Sequence, residues 1–294
     1  MKVRANGLMI EVDDQGSRDA PVVLLVMGLG MQLTGWPDEL VALLLDKGLR
    51  VVRFDNRDAG LSDGFDHVGV PSIALNVLRH TLRLPVRSPY ALKDMAADAI
   101  GVLDALGIAR AHVVGASLGG MICQHLAAGW PERVASATLI MTTSGSRRLP
   151  GPTAAARRAL LSQPANRDPE TLIAHAIKVF TAIGSPDYRL SPAEMRARAA
   201  ASIARASRPQ GSARQLLAIA ADGDRTAMLG RIQAPTQVIH GVLDPLVPVE
   251  SGRDLVRRIP GALGDFIEGM GHDLPPQLLA RISQGIAANV RRAS

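Results

Sequence analysis

The first 140 residues alternate two patterns of apolar positions. Strand-like apolar runs lie at 8–12, 21–27, 49–54, 111–114 and 135–141, and helix-like stretches lie at 37–47, 92–106 and 118–128. The run 21–27 (PVVLLVM) is apolar throughout, as in strands buried on both faces of a sheet. The stretch 37–47 repeats apolar residues every three or four positions and stops at Gly48, which indicates a helix. Strands alternating with helices predict an α/β fold with a mostly parallel sheet flanked by helices; residues between 55 and 91 are expected to form a loop.

The alternation is interrupted between Ser144 and Arg231. This segment has no strand-like run, and its Ala-, Arg- and Leu-rich stretches are separated by prolines, which predicts four or five short helices. The alternation then resumes with strands at 236–240 and 265–267 and helices at 249–259 and 277–290. We therefore predict a core of residues 1–143 and 232–294 with a helical cap inserted at 144–231. Such a cap would lie over the carboxyl ends of the strands, where open α/β sheets bind ligands.

Composition excludes several classes of protein. Hydrophobic residues make up 47% of the 294 positions and charged residues 20%, which is a globular and not a disordered composition. Aromatic residues are only 3%, which disfavours the stacked rings that bind glycans or single-stranded nucleic acids. The formal net charge is +6, but the basic residues are scattered along the chain. They occur singly or as pairs of arginines, and they do not form longer basic runs. We expect no nucleic-acid partner.

The chain has a single cysteine, Cys123, which cannot form an internal disulfide. Residues 1–14 lack the apolar core of a signal peptide, and the apolar run 21–30 is about half the length needed to cross a membrane. We therefore expect a cytoplasmic protein without a membrane partner.

Two Gly-x-Ser-x-Gly matches compete for the role of nucleophile. This motif exposes a serine on a tight turn between a strand and a helix. The match around Ser117 (GASLG) follows the strand-like AHVV and precedes a helix-like stretch, whereas the match around Ser62 (GLSDG) lies in a polar segment with no such neighbours. We predict that Ser117 is the nucleophile and that Ser62 has a role in loop structure.

The base and its acid are predicted from chain order, which is nucleophile, acid, histidine in this arrangement. Asp244 directly follows a buried-strand pattern in TQVIHGVLDPLVP, and His272, in the glycine-rich turn GMGHD, is the only histidine after it. Asp244 would orient the imidazole of His272, which would take the proton of Ser117. The alternative for Asp244 is a structural turn residue before Pro245. Asp254, on the predicted helix 249–259, is expected to be a solvated charge.

An oxyanion hole for such a nucleophile is made by backbone N–H groups. One donor is expected from Leu118, which follows the serine, and the other from the turn after the strand 21–27, through Leu29. The sequence contains no HExxH motif and no Cys/His cluster with metal-ligand spacing, so we expect no metal. Trp36 is a candidate pocket residue, with packing at the start of the first core helix as its alternative. Met195 and Met228 of the insertion are further candidates for the pocket.

Five segments together resemble α/β-hydrolase-fold serine esterases. They are MGLGMQLTGWPDEL, RFDNRDAGLSD, GASLGG, GVLDPLVP and GMGHD. They are most similar to bacterial carboxylesterases of the aclacinomycin methylesterase group, and more distantly to proline iminopeptidases; residues 20–140 and 232–290 carry the resemblance. It implies a Ser-Asp-His triad at Ser117, Asp244 and His272, a helical cap, no cofactor, and a small-molecule ester as substrate. Many relatives have His-Gly where this chain has Met27-Gly28, which removes a polar contact near the oxyanion hole.

Other functions remain open at this point. A lactonase, a C–C bond hydrolase, an aminopeptidase or a perhydrolase would use the same three residues, and a non-catalytic receptor of this fold could retain them. The segment from 21 to Asp55 also imitates a dinucleotide-binding unit. However, Leu33 stands where close packing of helix on strand requires Gly or Ala, which argues against an NAD enzyme.

Overall fold

The structure is a computed structural model that describes residues 1–293. The strands are β1 (Lys2–Ala5), β2 (Leu8–Gln15), β3 (Val22–Val26), β4 (Arg50–Phe54), β5 (Ala111–Ala116), β6 (Val134–Ile140), β7 (Thr236–Gly241) and β8 (Leu263–Ile267). The helices are α1 (Asp38–Leu45), α2 (Ile73–Thr81), α3 (Leu92–Ala105), α4 (Leu118–Gly129), α5 (Ala154–Leu161), α6 (Pro169–Ile183), α7 (Pro192–Arg205), α8 (Pro209–Asp222), α9 (Thr226–Leu229), α10 (Glu250–Arg258) and α11 (Leu279–Arg291). Short 3₁₀ turns lie at Leu33–Gly35, Asp66–Val68 and Pro276–Leu278.

All eight strands belong to one sheet, in the order β1-β2-β4-β3-β5-β6-β7-β8. The strands from β4 to β8 pair in parallel, and only β1 and β2 join antiparallel. The predicted α/β fold with a mostly parallel sheet is confirmed. Each crossover between parallel strands carries a helix, which is why the central strands are buried on both faces.

Alternate residues of the central strands pack into separate cores on the two faces of the sheet. In β3, Leu24 and Val26 belong to the core under α3 and α4, whereas Val23 and Leu25 belong to the core under α1 and α11. This follows from the two-residue period of a strand, which sends successive side chains to opposite faces. The two cores hold the strands in place, so the loops at their carboxyl ends start from a rigid base.

Five helices, α5 to α9, lie between β6 and β7. They contact the loops at the carboxyl ends of the strands. His272 donates its backbone N–H to the Ile183 carbonyl at the end of α6, 2.8 Å away. Gly30 donates to the side chain of Gln215 on α8, also at 2.8 Å. Both contacts join these helices to loops that carry predicted site residues or their neighbours.

Two elements lie outside the expectations. β1 is only four residues long, and α2 lies within the segment expected to be a loop. Helix α2 turns its apolar side chains outward and buries Asn76, so its pattern does not match the core-facing stripe from which a helix is usually recognised. No helix among residues 1–293 is long and apolar enough to span a bilayer.

Candidate active site

Ser117 occupies a sharp turn between β5 and α4. Its backbone has φ 54° and ψ −117°, a conformation that costs a residue with a side chain about 1–3 kcal/mol. Two hydrogen bonds hold it there: Ser117 donates its N–H to the Ile140 carbonyl (2.9 Å), and Thr142 donates its hydroxyl to the Ser117 carbonyl (2.7 Å). The turn leaves the serine side chain partly accessible above the sheet edge.

The two glycines of this motif are required by contact with backbone atoms. A Cβ on Gly115 would overlap the carbonyl of Gly119, and a Cβ on Gly119 would overlap the carbonyl of Val26 on β3. Helix α4 can therefore begin directly against β5 and β3 only because both positions lack a side chain. The position of Ser117 is a consequence of this close packing.

His272 and Ser117 are in hydrogen-bond contact although 155 positions separate them in the chain. The distance from His272 Nε2 to Ser117 Oγ is 3.0 Å, and that from His272 Nδ1 to Asp244 Oδ2 is 2.7 Å. A carboxylate only accepts, so Nδ1 carries a proton and the neutral ring leaves Nε2 free to accept from the serine hydroxyl. The side chain of His272 is 7% exposed, and that of Asp244 is inaccessible to solvent.

Asp244 is oriented by the turn that follows β7. Its Oδ1 accepts the backbone N–H groups of Leu246 (2.9 Å) and Val247 (2.8 Å), which leaves Oδ2 for His272. Behind it, buried His240 donates Nε2–H to the Val247 carbonyl at 2.8 Å. Burial lowers the pKa of His240, so this ring stays neutral and acts on the turn through its hydrogen bond.

The loop that carries His272 is also hydrogen-bonded to Ser185, which follows the end of α6. The buried hydroxyl of Ser185 donates to the carboxylate of Asp273 and accepts the N–H of Gly271 at 2.9 Å. The backbone N–H of Ser185 donates to the same carboxylate oxygen at 3.0 Å. Burial raises the pKa of Asp273, while these hydrogen bonds act in the opposite direction. Neither Ser185 nor Asp273 was predicted from the sequence, although Asp273 directly follows the predicted base.

The two predicted oxyanion donors lie beside Ser117. Leu118 is the first residue of α4, and a Cβ built on Gly28, the neighbour of Leu29, would lie 3.3 Å from Ser117 Cβ and 3.9 Å from Ser117 Oγ. Within residues 1–293 neither the Leu29 N–H nor the Leu118 N–H has a hydrogen-bond partner. Leu118 adjoins Ser117 in the chain, and Leu29 follows a glycine that packs against the Ser117 side chain, so these two unpaired N–H groups belong to the segments around this serine.

The three candidate pocket residues lie on different elements. Trp36 is completely buried in the core under α1 and α11, a location that favours its alternative interpretation as a packing residue. Met195 is half-buried on α7, where the Thr181 hydroxyl lies 3.5 Å from its sulfur. Met228 is half-buried on α9, which packs against α4 and α10.

Ser62, in the second motif match, is fully buried in a loop. Its hydroxyl donates to the Asp55 carbonyl at 2.6 Å and accepts the N–H of Glu11 at 2.9 Å. The carboxylate of Asp55 accepts from the N–H groups of Leu33 and Leu61 and from Arg205 at 2.6–2.8 Å. The carboxylate of Asp55 therefore has partners within the protein. In a dinucleotide-binding unit this carboxylate would have to be free to bind a ribose.

Asp254 was expected to be a solvated charge, and that expectation is wrong. It is 1% exposed, and its carboxylate accepts the hydroxyl of Ser144 at 2.7 Å together with the guanidinium groups of Arg257 and Arg258. Three partners compensate the charge, which is why it can be buried. No group of three or more His, Cys, Asp or Glu side chains in the described part of the chain is arranged to hold a metal ion.

Comparison with known proteins identifies the family. The family model for the α/β-hydrolase fold matches residues 21–276. Rhodomycin D methylesterase DauP from Streptomyces sp. (strain C5) is 31% identical, covering 94% of this chain and 92% of its own. Rhodomycin D methylesterase DnrP from Streptomyces peucetius is 30% identical over the same shares of the two chains.

Among solved structures, the enol-lactonase from Burkholderia xenovorans LB400 superposes with a TM-score of 0.76 at 24% identity. It covers 99% of this chain and 100% of its own, a likeness of fold alone. Together with the methylesterase relatives, these matches show that the chain belongs to the α/β-hydrolase fold family and is a hydrolase acting on ester bonds.

Proposed function

We propose that this enzyme is a serine carboxylesterase for small-molecule esters, with Ser117 as nucleophile, His272 as base and Asp244 orienting the base. The observation that carries the proposal is the continuous line Ser117 Oγ–His272 Nε2 (3.0 Å) and His272 Nδ1–Asp244 Oδ2 (2.7 Å). A hydroxyl aligned with a neutral imidazole whose other nitrogen donates to a buried carboxylate is the arrangement that activates a serine.

The reaction follows in two steps. Ser117 Oγ attacks the ester carbonyl carbon as His272 Nε2 takes its proton, and Asp244 stabilises the imidazolium that forms. His272 then returns the proton to the departing alcohol, leaving an acyl group on Ser117. A water molecule gives a proton to His272 and attacks the acyl carbon; the acid leaves, and Ser117 regains its proton.

The oxyanion of both steps is assigned to the N–H groups of Leu29 and Leu118. Their freedom from other partners supports this, and the adjacent Gly30 N–H is held by Gln215 and cannot contribute. Backbone donors fixed before the reaction cost no reorganisation when charge develops, and one such donor contributes about 3–4 kcal/mol to catalysis.

Residues 144–231 are proposed to form a cap that determines substrate choice. Two contacts support this role: the end of α6 grips the His272 loop, and Ser212 of α8 lies directly against Gly30. The first contact is to the loop of the candidate base His272, and the second is to the neighbour of the candidate oxyanion donor Leu29. Because the methylesterase relatives match along nearly the whole chain, we propose methyl esters and other short- to medium-chain carboxylic esters as substrates.

Hydrolysis of p-nitrophenyl acetate and butyrate by three proteins tests the assignment. Ser117→Ala is expected to lower kcat by a factor on the order of 10⁶, to the residual level typical of a lost triad member. Ser62→Ala, the matched control at the second motif, is expected to retain the chemical step, with lower stability because it loses two buried hydrogen bonds. An active Ser117→Ala protein with an inactive Ser62→Ala protein would reverse the assignment.

If the wild type hydrolyses neither ester, a fluorophosphonate probe read by intact mass separates the remaining cases. Labelling that disappears in Ser117→Ala means a functional nucleophile with a different substrate, such as a lactone or an amide. A folded wild-type protein that is not labelled would contradict the proposed chemistry and favour a receptor.

A further inference from the structure

One part of the surface concentrates exposed apolar side chains. Twelve large hydrophobic residues are exposed within residues 1–293, and six of them lie between positions 68 and 84. These six are at least 47% exposed, and we call them the α2 surface: Val68, Leu75, Val77, Leu78, Leu82 and Leu84. Six exposed apolar side chains within one short segment, three of them on one face of a helix, are typical of an interaction site, whereas single exposed leucines are not.

Helix α2 has its polarity reversed relative to a core-facing helix. Leu75, Leu78 and Leu82 are spaced i, i+3, i+7 and face solvent as one stripe. Asn76 on the inner side is buried, donates to the Ser72 carbonyl (3.0 Å) and accepts the N–H of Arg87 (2.8 Å). Because these hydrogen bonds hold Asn76 on the inner side of the helix, the leucine stripe faces solvent.

The charges around this stripe have one sign. Positions 67 to 93 contain no Asp or Glu, but they contain four cationic side chains: Arg79, Arg83, Arg87 and Lys93. Arg83 and Arg87 are exposed and have no carboxylate partner among the described residues. An apolar stripe flanked by exposed arginines is complementary to a surface that is apolar beneath and anionic above.

We propose that the α2 surface binds the interface of an anionic lipid bilayer. Helix α2 would lie in the plane of the interface, with its leucines among the acyl chains and its arginines at the headgroups. The apolar side chains lie on three successive pieces of chain: the turn at 66–68, the helix, and the segment 82–84. Lipid tails, which have no fixed shape, accept such a discontinuous surface. A second copy of the chain is disfavoured because it would bring the same arginines face to face.

The expectation of no membrane partner came from the length of apolar runs. That length decides whether a segment can span a bilayer, and it does not decide whether a helix can lie on the bilayer surface.

The location of α2 suits an esterase. It packs against α8, and Ser212 in the first turn of α8 lies against Gly30 beside the candidate nucleophile. Docking here would bring the enzyme to esters dissolved in the bilayer.

Co-sedimentation with vesicles tests the proposal. Wild type is expected to sediment with vesicles of phosphatidylglycerol and phosphatidylcholine, and not with phosphatidylcholine alone. Leu78→Ser/Leu82→Ser is expected to weaken the binding at least tenfold. Arg83→Glu/Arg87→Glu is expected to weaken it more strongly, because each arginine near an anionic surface contributes roughly a fivefold factor. Hydrolysis of a water-soluble ester by these variants is expected to be unchanged, which shows that they fold.

Matched controls remove equal apolar area or equal charge elsewhere. They are Leu161→Ser/Leu263→Ser and Arg147→Glu/Arg148→Glu, all at exposed positions, and both are expected to bind as wild type does. Absence of wild-type binding would overturn the proposal, as would binding that the controls weaken as much as the α2 variants. A dimer dissociated by Leu78→Ser/Leu82→Ser, without vesicle binding, would assign the surface to a second copy. Binding to an acidic protein in place of vesicles would likewise overturn it.

Discussion

Replacing Arg214 by methionine removes a buried guanidinium that joins the insertion to the core. Arg214 of α8 is 1% exposed and binds both carboxylate oxygens of Asp58, at 2.7 and 2.8 Å. It also donates to Asp66 at 2.6 Å and to the Gly69 carbonyl at 3.2 Å. Methionine keeps most of the unbranched stem, so the change isolates the loss of the charge.

The magnitude follows from what Asp58 would lose. Its side chain is inaccessible to solvent, and without Arg214 it retains only the Phe65 N–H and the Tyr90 hydroxyl as partners. Removing one member of a buried ion pair costs about 3–5 kcal/mol because the other charge stays buried. At about 2–4 °C per kcal/mol for a large domain, Tm is expected to fall by about 6–20 °C.

Thermal unfolding at neutral pH measures this effect, with Arg196→Met as the matched control. Arg196 pairs with Glu170 at 2.6 Å, but both side chains are more than half exposed, so the control is expected to change stability by at most about 1 kcal/mol. The double variant Arg214→Met/Asp58→Asn removes the orphaned charge and is expected to recover part of the loss. Equal small effects of Arg214→Met and Arg196→Met would refute the reasoning.

The same pair predicts a pH dependence. Burial alone would raise the pKa of Asp58, but the hydrogen bonds from Arg214, Phe65 and Tyr90 outweigh it and hold the pKa below the ordinary value. A lowered folded-state pKa adds stability above the unfolded pKa, about 3.9 for Asp, and this stability is lost as the pH falls through the folded pKa. The difference in Tm between wild type and Arg214→Met is therefore expected to stay nearly constant down to about pH 4 and to shrink on further acidification below that pH. A difference that also stays constant below about pH 4 would show that the carboxylate charge is not the cause.

Two further substitutions test the geometry of the site. Gly119→Ala places a Cβ on the Val26 carbonyl, so α4 must shift; activity is expected to fall at least a hundredfold and stability by about 1–3 kcal/mol, as in other overpacked sites. Gly129→Ala, at the open end of the same helix, serves as its control, and equal behaviour of the two would contradict the steric argument. Ser185→Ala leaves the Gly271 N–H without a partner, so kcat is expected to fall about tenfold with little change in KM, and Ser185→Thr to restore part of it. A change in KM alone would mean that Ser185 does not position His272.

The site could be predicted where the signal is local. β3 is apolar throughout because both faces of a central parallel strand are buried, and a short stretch of sequence is enough to show this pattern. The sharp turn at Ser117 could be predicted because its two glycines are required by close contacts, one with a residue four positions away and one with the neighbouring strand β3. The order of motifs along the chain then singled out Asp244 and His272, since parallel strands end at one edge of the sheet.

What the chain alone left undetermined depends on contacts between distant segments. The sequence around Asp254 is that of a charged residue on the surface of a helix. Its burial is possible because its carboxylate binds two arginines and the hydroxyl of Ser144, which is 110 positions away. Ser185 meets Asp273 across 88 positions, and nothing in the neighbourhood of either residue marks the contact. By itself the sequence predicted most of the strands and helices and their order, and it singled out the turn that carries Ser117, because periodicity and turn chemistry act over a few residues. Only the tertiary structure decided which polar groups meet in the interior, because burial costs are balanced by partners that folding brings from elsewhere in the chain.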